Sequence, residues 1–470
     1  MPIPAATLSI KDGALGIVPP NVNGIVALVG TSSLGTNNLF YSFSDVQTLR
    51  ETLGTGPLVE AAAHILTISG GPVYCVKANS STAGTFGTVT RTGTGVSVLT
   101  LTGSVPVDTY DVRVRIVTGG VNPAAGTTTF QVSLDAGRTF GPLTALPASG
   151  IFAVPNTGIT LNFSAATLVA LDVYSFTTTG PSYNTTDLNT AVDVLLADPR
   201  EWFLLYAVGV PADAAATQGV FAALDSKLAA AANAYRYARG LMQCFTGTDS
   251  AIIAAVASLS STRVMLAAGL AQLLSVVNGA LNDRPAATPI AARAARVEPS
   301  EDLGRVASGS LPGITSLLRD EFRTPGLDDA GLATLTSIVG LSGFFVGNGR
   351  IKAAPTSDFQ LLQFGRVMDI ASRTVRQGML RFLNDSVRVS ATTGRIREED
   401  AKAIEAYIEG QLRATTTTPG YASDVSVVVD RTVNILSTQR LPVRFRIVPL
   451  GYVKFIDGEI GFSNPALTPV

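Results

Sequence analysis

Residues 80–183 break the pattern of the chain, and that break limits the folds open to it. On either side, short apolar runs alternate with helical segments. Between them lies a stretch dense in Thr, Gly, Val and Ser, with few charges. Two-residue alternation is clear in VSVLTLTG (96–103), YDVRVRIVTGG (110–120) and TFQVSLDAG (129–137). That period puts every second side chain on one face of a strand, and short strands parted by turn residues build sandwiches or barrels. The α/β pattern resumes at TDLNTAVDVLLADP (186–199), so 80–183 reads as an all-β domain inserted at the periphery of an α/β core.

The core segments have the marks of strands buried on both faces. GIVALVG (24–30), PVYCVKA (72–78), WFLLYAVGV (202–210), RGLMQCF (239–245) and RVMLAAG (263–269) are continuous apolar runs. Helices are predicted between them: SFSDVQTLRETLG with Ser44 as N-cap and Gly54 as stop, LVEAAAHILTISGG ended by Gly70 and Gly71, an Ala-rich run from Asp213 to Tyr237, and SAIIAAVASL. Asn348-Gly349, between apolar residues, predicts a hairpin turn.

Residues 356–450 read as a compact C-terminal α+β domain. Ser357 and Gln360 have capping-box spacing ahead of a helix running to about Leu383. Leu361, Phe364, Met368, Ala371, Val375 and Phe382 form its apolar stripe, with Arg366, Arg373 and Arg376 on roughly the opposite face. That arginine face is either an ordinary solvated surface or a contact surface. A second helix is predicted from near Arg397, with Glu398–Lys402 and Glu409–Arg413 as i,i+4 pairs. Two strands follow, carrying Val425, Val427 and Val429 and then Val443, Phe445 and Ile447.

Both ends of the sequence read as extended arms, 1–20 and 451–470. Leu8 and Ile10 alternate with polar residues, and prolines flank them. Tyr452, Val453, Phe455 and Ile456, then Ile460 and Phe462, are apolar or aromatic and have no obvious local partner. Such orphan strands suit subunits that exchange strands with neighbours; pairing within one subunit is the alternative. The expected fold class is therefore a multidomain α+β chain. It has an N-terminal arm (1–20), an α/β core in two parts (21–79 and 184–355), the inserted β domain (80–183), a C-terminal domain (356–450) and a C-terminal arm (451–470).

Few features point to chemistry. Charged residues are only 15% of the chain, against about 25% in ordinary domains, and mean hydropathy is +0.33. Such a chain either enters a membrane or hides surface against copies of itself. The uncharged run VMLAAGLAQLLSVVNGAL (264–281) contains Gln272, Ser275 and Asn278, and reads as a buried helix or a strand, turn and helix. The N-terminus lacks the basic start of a secretory signal. A net charge of −1 predicts no general attraction to nucleic acid. The sole histidine, His64, sits in AAAHILTI and reads as a core residue; Cys75 and Cys244 form no metal or disulfide pattern. No phosphate-binding loop and no nucleophile elbow occurs. No cofactor, metal site or catalytic residue is predicted.

Three blocks, in order, carry a resemblance: PPNVNGIVALVGTSSLGTNN through ISGGPVYCVKA (19–78), GLSGFFVGNGRIKAAPTSDFQLLQFGRVMDIASRTVRQGMLRFL (340–383), and RLPVRFRIVPLGYVKFIDGEIGF (440–462). The chain resembles tail sheath proteins of contractile-tailed bacteriophages and related injection machines. The resemblance implies a structural, non-enzymatic subunit of a virion tail, assembled in the host cytoplasm. Its copies would stack as hexameric rings in a helical sheath around a tail tube protein, with baseplate and tail terminator proteins as further partners. Contraction would drive the tube through an envelope during genome ejection. Leu8, Ile10 and the 452–462 residues would be the exchanged arms, the strands at 425–429 and 443–447 their acceptors, and Arg366, Arg373 and Arg376 tube- or neighbour-facing. No nucleic-acid partner and no direct membrane insertion are implied. The family often has Trp in the strand before the long helix, where FFVGNGR stands here. The rival classes are an adhesin-like surface or shell protein, which the β segment alone would suit, and a hydrolytic enzyme using core acids.

Overall fold

In the computed structural model, residues 22–101, 105–121 and 127–462 are described. The strands β1 (Val26–Gly30), β2 (Phe40–Phe43) and β3 (Val73–Lys77) come first, with helices α1 (Val46–Leu53) and α2 (Pro57–Ser69) between β2 and β3. After the β segment follow α3 (Thr185–Ala197), β4 (Leu204–Ala207), α4 (Ala214–Asn233), β5 (Arg239–Gln243), α5 (Asp249–Val256), β6 (Val264–Ala267) and α6 (Ala287–Arg296). The sheet order is β6-β5-β4-β1-β3-β2. All neighbours are parallel except β2, which runs antiparallel to β3. Both faces of this sheet are covered. Val26 and Leu28 pack towards α1, α2 and α6. Ile25, Ala27 and Val29 pack towards α3, α4 and α5. This two-sided burial is why the strands read as unbroken apolar runs.

Local caps agree with the sequence to within a residue. Asp45 rather than Ser44 caps α1, its carboxylate accepting from Thr48 N–H, and Gly54 ends the helix at φ 73°. Gly70 closes α2 in the left-handed region at φ 65°, where a Cβ would be strained. The apolar run 264–281 is not helical. It forms β6, turns, and continues as a strand, Leu270–Leu274, paired antiparallel with Leu281–Pro285. Asn348-Gly349 makes no hairpin. Leu335–Ser337 pairs with Phe344–Val346 upstream of it, and the Asn348 amide donates to Asp328.

The β segment has its own core of Tyr110, Val112, Val114, Ile116, Phe130, Leu161, Phe163, Tyr174 and Phe176 among others, in which Phe130, Phe163 and Tyr174 meet in tilted and edge-on ring contacts. Its main sheet is built around Asp111–Thr118, flanked by Thr129–Ser133 and Val173–Thr179. The segment is anchored to the α/β core. Asp108 meets Arg284 in a buried ion pair, Thr31 Oγ1 donates to Pro181 C=O, and Thr55 Oγ1 donates to Asn156 C=O.

The chain divides into two units, Met1–Asp369 and Ile370–Val470. The division falls within α7 (Leu362–Leu380), the long helix expected from the sequence. It begins five residues after Ser357, and Gln360 donates to Pro355 C=O instead of closing a capping box. In the second unit α8 (Glu398–Leu412) is followed by β7 (Asp424–Val429) and β8 (Val443–Val448). The two i,i+4 pairs expected on α8 form, Glu398–Lys402 at 2.8 Å and Glu409–Arg413 at 2.9 Å.

Candidate assembly interface

In the second unit, β7 and β8 form a two-stranded antiparallel sheet, with Val425 opposite Ile447, Val427 opposite Phe445 and Val429 opposite Val443. Val425, Val427 and Val429 are buried against Ile404, Ile408 and Leu412 of α8, with Phe445 and Ile447 packed around them. The alternation read from the sequence puts the apolar set inward, while Val428 and Val448 lie half-exposed on the other face.

A two-stranded sheet has two outer edges, and the register shows which groups face them. Asp430 N–H bonds to Pro442 C=O across the pair. Alternation then turns the backbone groups of Asp424, Ser426 and Val428 towards β8, and those of Val425, Val427 and Val429 outwards. At one end of that outer edge, Val429 N–H donates to Glu405 Oε1 at 2.8 Å. At the other, Arg413 Nη2 donates to Val425 C=O at 3.0 Å. Val427 lies between them, beside a groove of about 470 Å³ whose wall is α8 from Lys402 to Arg413.

Beyond β8 the chain belongs to no strand among the described residues. Apolar side chains stand in solvent there: Val453 is 79% exposed, Phe455 89% and Ile456 87%, and Ile460 and Phe462 are fully exposed. Large apolar residues so disposed are unusual on the surface of a monomer and mark contact surfaces. Leu8 and Ile10, the other arm residues read from the sequence, lie outside the described residues.

Arg366 is not on an outward face. It is 3% exposed, and its guanidinium donates to the carbonyls of Ala294, Val297 and Glu298 at the C-terminal end of α6 and to Asn23 C=O. It also stacks over Phe203, 4.3 Å from the ring centroid. The last carbonyls of a helix have no partner within it and carry partial negative charge, so a buried cation suits them. The first turns of α7 accordingly bury Leu362, Gln363, Arg366 and Val367 and leave Met368 37% exposed. In these first turns the buried stripe is thus rotated from the one the sequence suggested, while Ala371, Val375 and Phe382 further along pack inward as expected. Arg373 and Arg376, in the second unit, are half-buried.

Chemistry elsewhere is muted. His64 is 6% exposed, and burial lowers its pKa to about 4. Burial pushes the Cys75 thiol up and holds the Cys244 thiol up at about 11, so neither is poised as a nucleophile. Among the described residues no group of His, Cys, Asp and Glu is arranged to hold a metal ion, and no helix is long and apolar enough to cross a membrane. Open α/β sheets take ligands at the switch point, here beyond the carboxyl ends of β1 and β4. Chain fills that place: a Cβ on Gly30 would lie 3.0 Å from Val208 Cβ and 3.2 Å from Leu58 Cβ, and Tyr183 O–H donates to Val208 C=O.

The model of the DUF2586 N-terminal domain matches residues 3–350, and that of the DUF2586 C-terminal domain matches residues 358–467. No curated protein matches in sequence. Among solved structures, the helical sheath of the anti-feeding prophage in its contracted state aligns at a TM-score of 0.54 with 11% identity, covering 98% of this chain and 99% of that one. The sheath complex of an extracellular contractile injection system, PVC, also contracted, aligns at 0.53 with 9% identity and 98% coverage of both chains. A sheath tail protein from Listeria innocua aligns at 0.49 with 11% identity, covering 91% of this chain and 92% of that one. The mixed α/β fold of the two contracted sheaths is therefore the fold of this chain.

Proposed function

The chain belongs to the DUF2586 family, and from the fold it shares with contractile sheaths we propose that it is the structural subunit of such a sheath. One observation carries the reading. The second unit offers a β7 edge with no strand paired to it and, in the same unit, an exposed apolar segment at 453–462. A strand edge is satisfied by another extended chain, and exposed apolar side chains are buried by the same event. Copies joined in this way form a mesh.

In this reading, copies stack as hexameric rings around a tail tube, between a baseplate and a terminator, and the assembly belongs to a virion tail. Both arms, 1–20 and 451–470, add strands to β7 and β8 of neighbours. The two units of each copy serve as bodies that shift while those links persist. The work of contraction is stored in packing between copies and calls for no nucleotide. Arg373 and Arg376 meet the tube or a neighbouring copy. Negative-stain microscopy of the purified chain tests this, alone and with a tube protein. Rings or tubes with a regular repeat are expected. Monodisperse particles at every concentration, with no assembly on tubes, would overturn it.

A further inference from the structure

We propose that Glu405 and Arg413 are guards of the β7 edge, holding it closed in the free subunit and yielding it to an incoming strand; this rests on the sheath reading. Each guard occupies a backbone group that a new strand would need. Glu405 takes the Val429 N–H and Arg413 takes the Val425 C=O, one backbone group at each end of the edge, while Val427 between them faces the groove. Charged side chains laid over an edge are a known way to keep sheets from pairing indiscriminately.

Each guard also has somewhere to go. Glu405 pairs with Arg431 at 2.9 Å. Arg413 pairs with Glu409 at 2.9 Å and Asp424 at 3.0 Å. On release, both keep an ion-pair partner, and the ladder bonds of the added strand replace the two contacts they give up. The edge is therefore reversibly closed rather than blocked.

The occupant is the segment Tyr452–Ile456 of a second copy. Val453 and Phe455, two residues apart, would share one face of an extended strand, and both are exposed. Beneath the edge, Ala406 and Gly410 lie one helical turn apart on the exposed side of α8, and a Cβ on Gly410 would meet nothing within 4 Å. Small residues there leave room for the bulk of Phe455. The segment of the same copy leaves β8 on the far side of β7, with only Pro449–Gly451 between it and Val448. The four steps from Val448 to Tyr452 span at most about 14 Å, and two strand spacings of about 4.8 Å each take about 10 Å of that, which leaves about 4 Å to round the end of the sheet; a neighbouring copy meets no such limit.

The test uses the full-length chain and a fluorescent peptide of residues 450–462, with binding read by anisotropy. Glu405→Ala/Arg413→Ala is expected to bind the peptide at least tenfold more tightly than the parent, and to begin scattering light at several-fold lower protein concentration. Glu405→Gln, which keeps the size of the side chain, guards the test against misfolding and should show an intermediate gain. Gly410→Leu in the doubly unguarded protein should abolish binding with an unchanged circular dichroism spectrum. Equal peptide affinity in parent and unguarded proteins would overturn the guards while leaving the acceptor edge in place. No binding to either would overturn the acceptor edge itself.

Discussion

Arg284 grips Asp108 through two parallel hydrogen bonds of 2.8 and 2.7 Å, joining the β segment to the α/β core. Asp108 is 1% exposed, and Glu60 Oε1 stands 3.7 Å from Arg284 Nη2, with Ser275 O–H donating to the Glu60 carboxylate. Burial raises the Glu60 carboxyl pKa despite the pull of Arg284. Breaking such a pair by removing one partner costs about 3–5 kcal/mol, because a charge is left buried alone. Asp108→Ala should therefore lower unfolding free energy by about 3 kcal/mol in urea. Asp108→Leu/Arg284→Met should recover most of that loss. The sequence suggests that residues 84–180 could be replaced by a short linker.

His64 makes the fold sensitive to mild acid. Its pKa is 6.5 unfolded and about 4 folded, so between those values the unfolded chain holds the extra proton. Stability present above about pH 6.5 is then lost as pH falls towards 4, by about 3 kcal/mol in all. The raised carboxyl of Glu60 acts in the opposite sense, favouring the fold at lower pH, so the comparison must be with a variant. His64→Leu should flatten the urea midpoint between pH 6.5 and 4. A parallel decline in both proteins would assign the pH dependence to other groups.

Arg366 should behave as a structural residue. Arg366→Met keeps the aliphatic stem, removes the guanidinium from over Phe203 and strands the carbonyls at the end of α6. Hydrogen bonds from a charged donor are worth about 1.5–3 kcal/mol, and their loss inside a core approaches the upper figure. A thermal shift measured on Arg366→Met should show that loss. Arg373→Glu/Arg376→Glu should impair assembly on tubes. Normal sheathed tubes from the double variant would remove those two residues from the proposed contact.

What could be read in advance depended on how local its cause was. The core strands were legible because burial on two faces leaves a continuous apolar run, and the strands of the β segment because alternation persists from Val96 to Ser133. The pairs on α8 follow from spacing alone. The register of α7 was not legible, because the demand that turns Arg366 inward comes from carbonyls of a helix far off in sequence. For the same reason Asn348-Gly349 misled: Asn348 answers to Asp328, and Gly349 is needed where a Cβ would press within 3.1 Å of Leu303. In the candidate interface, the acceptor valines and the exposed segment were legible from pattern. Glu405 was missed, since its part depends on which edge of β7 faces α8. Arg413 was noted only for its helical pair.

The segment after β8 should be needed for assembly and unnecessary for folding. Leu450 and Tyr452 are half-buried, but its other large apolar side chains contribute no burial within the unit, where Val453, Phe455, Ile456, Ile460 and Phe462 are all exposed. The core of that unit is complete without them, being built from α8, β7 and β8. Truncation after Pro449 should thus leave the melting temperature and circular dichroism spectrum close to those of the full chain. It should also raise solubility, since exposed apolar surface of this kind promotes association. If these residues add a strand to another copy, the truncated protein forms neither rings nor tubes under conditions where the full chain does. Phe455→Pro should fall in the same class, because it removes one ladder donor in mid-strand while leaving the rest of the segment in place. Ordered tubes from the truncated protein would show that the link between copies lies elsewhere, and the mesh built on β7 would have to be given up.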